Sequence, residues 1–161
     1  MSVNAVRLMI CLAVLTAWTG CAKEPAGERG TLDEARAMLA QAVRHYEEVG
    51  REQALRDITD RQAPFVDRDL YVFCYGPDRA ISAHAADAGL VGVPVDSLRD
   101  VDGAAFGTAI METAQASPEG GLVEYKWTNP VTGEVEPKAS VVRQVGEDVC
   151  GVGAYHAEAT R

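Results

Sequence analysis

Residues 120–155 read GGLVEYKWTNPVTGEVEPKASVVRQVGEDVCGVGAY, and the punctuation of this stretch decides the fold. Leu122 to Trp127 alternates as a half-buried strand does. Asn129-Pro-Val-Thr-Gly133 is turn chemistry, and Pro137 to Val145 is the next strand. Gly146-Glu-Asp148 then turns into a last strand, Val149 to Tyr155. Three strands joined by short turns predict an antiparallel meander. Gly151-Val-Gly153 lies inside the last of them with no helix after it, so it marks close packing of another segment rather than a nucleotide loop.

Upstream, Leu70-Tyr-Val-Phe-Cys-Tyr75 is aromatic and β-branched, Gly76-Pro-Asp78 is a turn, and Ile81 to Ala85 reads as a second short strand. Residues 86–121 contain no long strand. They carry Gly92, Pro94, an Asp-x-Asp-Gly turn (Asp100 to Gly103) and an amphipathic helix from Ala104 to about Ala116. Ahead of all this, Thr31 and Glu34 form a capping-box signature. Leu32, Ala35, Leu39, Val43, Tyr46 and Val49 follow at helical spacing, with Gly50 as a stop. Arg51 to Thr59 continues helically until Pro64.

The first twenty residues are of another kind. Met1 to Arg7 carries one positive charge, Leu8 to Trp18 (LMICLAVLTAW) is apolar, and Thr19-Gly20-Cys21 follows. An apolar run of about eleven residues is short of the ~20 that a helix needs to cross a bilayer, but it fits a secretory signal. Small residues before Cys21 resemble the lipobox of bacterial lipoproteins, with Trp18 where that pattern usually has Leu. The expected organisation is residues 1–20 as a lipoprotein-type signal peptide, 21–30 as a tether opening on a lipidated Cys21, and 31–161 as one domain. The localisation that follows is extracytoplasmic, on the periplasmic side of the outer or inner membrane.

Composition narrows the partners. The 161 residues carry a net charge of −9, which becomes −10 without residues 1–20 because Arg7 is the only charge removed. Such a chain repels phosphate backbones, which excludes nucleic acid as a partner. Of the four cysteines, Cys11 leaves with the signal and Cys21 takes the lipid. Cys74 and Cys150 remain as a disulfide in an oxidising compartment, or as two buried thiols. No Cys-x-x-Cys, zinc-like histidine spacing or EF-hand loop is present, so neither metal nor cofactor is expected.

The segments DLYVFCYGPDRAISAH, LVGVPVDSLRDVDGAAF, GGLVEYKWTNPVTGEVEPKASVV and VCGVGAY together resemble a single Cache domain, the extracytoplasmic sensor module related to PAS folds. The resemblance covers about residues 31–156. Gly76 replaces the family's Asp, Val93-Pro94 its Lys-Asn, and Leu122 its Trp. What the resemblance implies is an α+β fold: a PAS-like five-stranded antiparallel sheet, a long N-terminal helix on one face, and a helical crossover between strands 2 and 3. It also implies a pocket on the other face, beneath that crossover, for organic acids, amino acids and similar metabolites.

Alternation selects the candidate ligand-binding residues. Tyr71, Phe73 and Tyr75 share one strand face, and Val123, Tyr125 and Trp127 share another. These rings either wall a pocket or fill a core under a helix. Lys138, at a strand start, is the candidate to neutralise a carboxylate ligand, or else an exposed strand lysine. His84 either donates to a ligand or caps its hairpin. Glu124 and Glu136 are the carboxylates nearest these rings, yet no nucleophile or metalloprotease motif accompanies them, so an enzyme is not expected. The reading is a lipid-anchored, small-molecule-binding sensor that works through a membrane receptor or kinase. The alternative is an accessory lipoprotein subunit with a vestigial pocket.

Overall fold

The computed structural model describes residues 29–156. The expected signal peptide, the candidate lipidation residue Cys21 and the expected tether as far as residue 28 lie outside them. Helix α1, Leu32–Val49, starts on the expected capping box: the Glu34 N–H donates to Thr31 Oγ1 at 3.2 Å and the Thr31 N–H to Glu34 Oε2 at 2.7 Å. The helix does not run on. Gly50 takes φ 81°, a left-handed value that ends α1, and a second helix, α2, occupies Arg51–Thr59.

All five expected strands are present: β2 (Leu70–Tyr75), β3 (Ile81–His84), β4 (Gly121–Thr128), β5 (Val135–Val145) and β6 (Asp148–Tyr155). A sixth, β1 (Val66–Asp67), is two residues long and too short to leave an alternation in the sequence. The order is β1-β2-β6-β5-β4, with β3 also on β2, and every pairing is antiparallel. The crossover from β3 to β4 is a strap with two short 3-10 turns, Ala88–Leu90 and Val95–Ser97, then α3, Phe106–Ala116. The 3-10 turns carry too few residues to show a period in sequence.

The sheet's two faces bury different things. Ala35, Met38, Leu39, Ala42 and Tyr46 of α1 are buried where that helix packs on β5 and β6. On this side Cys74 faces Cys150 directly across the β2–β6 ladder, and the two are joined as a disulfide with Cα atoms 4.1 Å apart. The opposite face carries Tyr71, Phe73 and Tyr75 from β2, Tyr125 and Trp127 from β4, and Lys138 from β5, beneath α3 and the strap. Central strand β6 offers this face Gly151 and Gly153. A Cβ on Gly153 would lie 2.2 Å from Lys138 Cε, and one on Gly151 2.6 Å from Phe73 Cζ. These glycines are what leave room for the lysine stem and the ring.

One buried carboxylate ties the helical layer to the sheet. Asp148, fully buried, accepts from Tyr46 Oη at 2.8 Å, Arg51 Nε at 2.7 Å and Ser82 Oγ at 2.7 Å. Burial and this carboxylate push the Tyr46 phenol up to about 12. Asp148→Ala leaves two hydroxyls and a guanidinium without their acceptor. Because the Arg51 side chain is about a third exposed, the expected loss is reduced to about 2–3 kcal/mol, read by urea denaturation. A loss within a few tenths of a kcal/mol would show that Asp148 does not fasten α1 and α2 to the sheet.

Candidate functional site

Six of the seven candidate ligand-binding residues line one cavity. Tyr71, Phe73, Tyr75 and His84 line it from β2 and β3, and Tyr125 and Trp127 from β4. Ile81, Leu90, Leu98 and Phe106 close the remainder from β3, the strap and α3. The seventh candidate, Lys138, lies among the same rings. It is 1 % exposed, so it is no surface lysine. Its Nζ is 3.8 Å from the centroid of Tyr71, 4.9 Å from Tyr155, 5.7 Å from Phe73 and 6.0 Å from Tyr125. Ring faces are partially negative and stabilise a cation without neutralising it. Among the described residues the ammonium makes no hydrogen bond and no ion pair. Burial pushes its pKa well below the ordinary lysine value, and the Asp69 carboxylate acts against that shift.

The tyrosine hydroxyls largely satisfy one another. Tyr155 Oη donates to the Thr128 carbonyl at 2.8 Å and so accepts from Tyr71 Oη at 3.1 Å. Tyr125 Oη and Ser140 Oγ are 3.0 Å apart. Burial raises all three phenols above the ordinary tyrosine value, which keeps them protonated. Among the described residues, His84 Nε2, the Tyr75 hydroxyl and the Trp127 indole N–H of the lining, and the Lys138 ammonium among the same rings, make no hydrogen bond. All four can donate, and among the described residues no carboxylate lines the cavity. Glu124 is exposed, and Glu136 is held at the sheet's end by Arg29, Asn129 and Thr132. Among the described residues no group of His, Cys, Asp and Glu is arranged to hold a metal ion.

His84 takes the capping role that the sequence offered. Its Nδ1 accepts the Asp87 N–H at 3.0 Å, closing the end of β3, and this leaves the neutral ring's proton on Nε2. Burial first, then the charge of Lys138, lower its pKa to about 4, with Asp87 opposing. The unfolded chain therefore binds the extra proton between about pH 6.5 and pH 4, so His84 stability is whole above the first value and lost on descent to the second. His84→Asn keeps an acceptor for Asp87 and removes the titration. The expected result is that up to about 3 kcal/mol of the wild type's acid sensitivity in this window disappears. Superimposable stability–pH curves for the two proteins would contradict this.

Phe106 and the strap leucines are lining residues that sequence reasoning passed over. Tyr155, read in the Gly-x-Gly-x-Tyr end as sheet packing, lies in β6 as the cross-strand partner of Lys138. Phe106 begins a helix and carries no strand alternation to place it. The three departures from the Cache pattern, Gly76, Val93-Pro94 and Leu122, all lie outside the cavity lining, and Leu122 is on the far face and 46 % exposed.

With this geometry in place, the relatives are informative. No curated protein matches the sequence. Several solved structures share the fold, among them these three. A methyl-accepting chemotaxis protein from Vibrio parahaemolyticus is 20% identical with a TM-score of 0.65, over 76% of this chain and 86% of that one. A Cache chemosensory domain described for its recognition of carboxylic acid is 21% identical with a TM-score of 0.58, over 76% and 86%. The periplasmic sensor domain of a chemotaxis protein is 23% identical with a TM-score of 0.59, over 76% and 88%. The family Single Cache domain 2 matches residues 22–160, nearly the whole sequence. The chain belongs to the single Cache domain 2 family.

Proposed function

We propose that this chain is a lipid-anchored extracytoplasmic sensor that captures a small carboxylate in the Lys138 cavity and acts through a membrane-bound receptor or kinase. The observation that carries this reading is a buried ammonium with no anion beside it among the described residues, next to a cavity whose unpartnered groups are also donors. A carboxylate supplies the missing charge and several acceptors at once. The similar Cache chemosensory domain described for carboxylic acid recognition supports the same class of ligand. Tyr125, Trp127, Lys138 and His84 are the contacts, with Tyr71, Phe73 and Tyr75 as the wall. Residues 1–20 act as the signal peptide, Cys21 carries the lipid, and 21–30 tether the domain of 31–161. Among the described residues no helix is long and apolar enough to cross a membrane.

A thermal-shift screen of organic acids, amino acids and amines tests the ligand class, since binding to the folded state alone raises the melting temperature. Shifts confined to carboxylates fit the sensor. One observation favours the accessory-subunit reading instead: the cavity measures only about 10 Å³. The absence of a shift with any compound would select that reading.

A further inference from the structure

Helix α1 does not cover its whole side of the sheet. It packs on β2, β5 and β6 and leaves most of edge strand β4 open on that side. Leu122 and Glu124 of β4 are exposed there. Between α1 and β4 runs a groove floored by β5. One hollow, of about 460 Å³, lies among Arg36 and Leu39 of α1, Leu122 of β4, and Val141 and Arg143 of β5. A second, of about 400 Å³, lies on the other side of Leu122, over Ala139. Leu122 lines both, and it stands where the Cache pattern has the larger Trp.

The charged group on the floor is Arg143. Its Nε is buried without a hydrogen-bond partner, and its guanidinium makes no ion pair among the described residues. No neighbouring side chain reaches over it from β4, because the residue beside it is Gly120, at φ 74°, where a Cβ would lie 2.7 Å from Arg143 Cβ. Arg36 adds a second guanidinium, which Asp33 engages at 2.7 Å on the exposed side of α1. Against these stands Glu119, an exposed carboxylate of the same hollow. With a net charge of −9 the chain as a whole repels anions, so only a local arrangement of this kind can hold one.

We propose that this groove is a second binding site, which takes a medium-chain fatty-acid carboxylate with its head on Arg143 and Arg36 and its acyl chain along Leu39, Leu122 and Val141. A carboxylate supplies the bidentate acceptor that a guanidinium fork matches, and the apolar walls take the chain. From Arg143 to Ala139 the floor offers about 13 Å of strand for the chain to follow. The hollow at Arg143 falls in the size range of small-molecule sites, whereas the cavity near Lys138, at about 10 Å³, has no room for an acyl chain. The groove lies on the opposite face of the sheet from Lys138 and does not rest on the reading of that site.

The test is calorimetric titration of the full chain with octanoate and with octanol, as wild type, Arg143→Gln, Glu119→Gln and Leu122→Trp, with acetate titrated alongside. The wild type is expected to bind octanoate about 10-fold more tightly than octanol, the size of effect that charge-assisted hydrogen bonds give. Arg143→Gln should lose that preference while binding octanol and acetate as the wild type does. Glu119→Gln should tighten octanoate alone. Leu122→Trp, a change at an exposed position, should fill the groove and bind neither eight-carbon probe, with its melting temperature as the check that it folds. Octanol bound as tightly as octanoate by the wild type overturns the anionic head. Octanoate bound equally by the wild type, Arg143→Gln and Leu122→Trp, or by none of them, overturns the groove whatever acetate does. Octanoate that follows Arg143 and Leu122 while acetate binds no protein supports the groove and overturns the carboxylate reading of the Lys138 cavity.

Discussion

Lys138→Met should abolish carboxylate binding and at the same time make the protein more stable. Lys138 is buried with only aromatic faces around it and the Asp69 charge acting from a distance. A buried charge without a hydrogen-bonded partner costs folding free energy, and Met conserves most of the volume without it. The expected gain is about 1–3 kcal/mol, less than the bare cost of burying an ion because the ring faces offset part of it. The sign with pH is fixed by the direction of the shift. The folded lysine has a lowered pKa, so between that value and the ordinary one near 10.5 the unfolded chain holds the extra proton. The penalty is therefore whole below the folded value and fades as pH rises toward 10.5, and the advantage of Met fades with it. For the ligand, removing one partner of a buried charge pair costs about 100-fold or more in affinity. Urea denaturation and a carboxylate titration on the same two proteins read both halves. Met that destabilises, or that binds the acid as the wild type does, would show that Lys138 is a structural residue.

Removing the Cys74–Cys150 bond should cost more stability than any other change considered for the fold. The bond joins residues 76 apart in sequence across directly opposed positions of β2 and β6. On the chain-entropy account, opening a loop of that length returns about 4.5 kcal/mol of freedom to the unfolded state, less whatever structure the reduced chain retains. The replacement must be apolar, because both positions are buried under α1. Cys74→Ala with Cys150→Ala should lower the denaturation midpoint strongly. Adding reductant should weaken the wild type in the same direction and leave the double variant unchanged. A double variant as stable as the wild type would mean that the β2–β6 ladder needs no covalent help.

The elements were legible in the sequence wherever a period or a punctuation residue existed. The capping box at Thr31, the alternation of Tyr71, Phe73 and Tyr75, and the turns at Asn129 and Gly146 each encode local geometry, and each appears at its place. Gly50 was legible as a stop, but the charges and apolar residues after it read as continuation. Its left-handed φ divides the segment into two helices. The site was half legible. Alternation says which rings share a face, and so it found Tyr125 and Trp127 together. It is silent on depth, and the burial of Lys138 depends on Gly153 across the ladder, a fact of register. Phe106 reaches the cavity from another layer of the fold. Asp148 binds residues 66 to 102 positions away, which no local pattern records.

The measurement closest to the central claim is a calorimetric titration of acetate into the full chain from about pH 7 to about pH 10, repeated in buffers of different ionisation enthalpy, with acetamide as control. A carboxylate that lands on Lys138 raises that lysine's lowered pKa. Binding should therefore draw a fraction of a proton from the buffer, more so as pH climbs past the lysine's own folded value. The account predicts acetate binding with proton uptake and no binding of acetamide, which has the same shape without the charge. Acetamide binding as tightly as acetate, or acetate binding without proton uptake at any pH in that range, would contradict it.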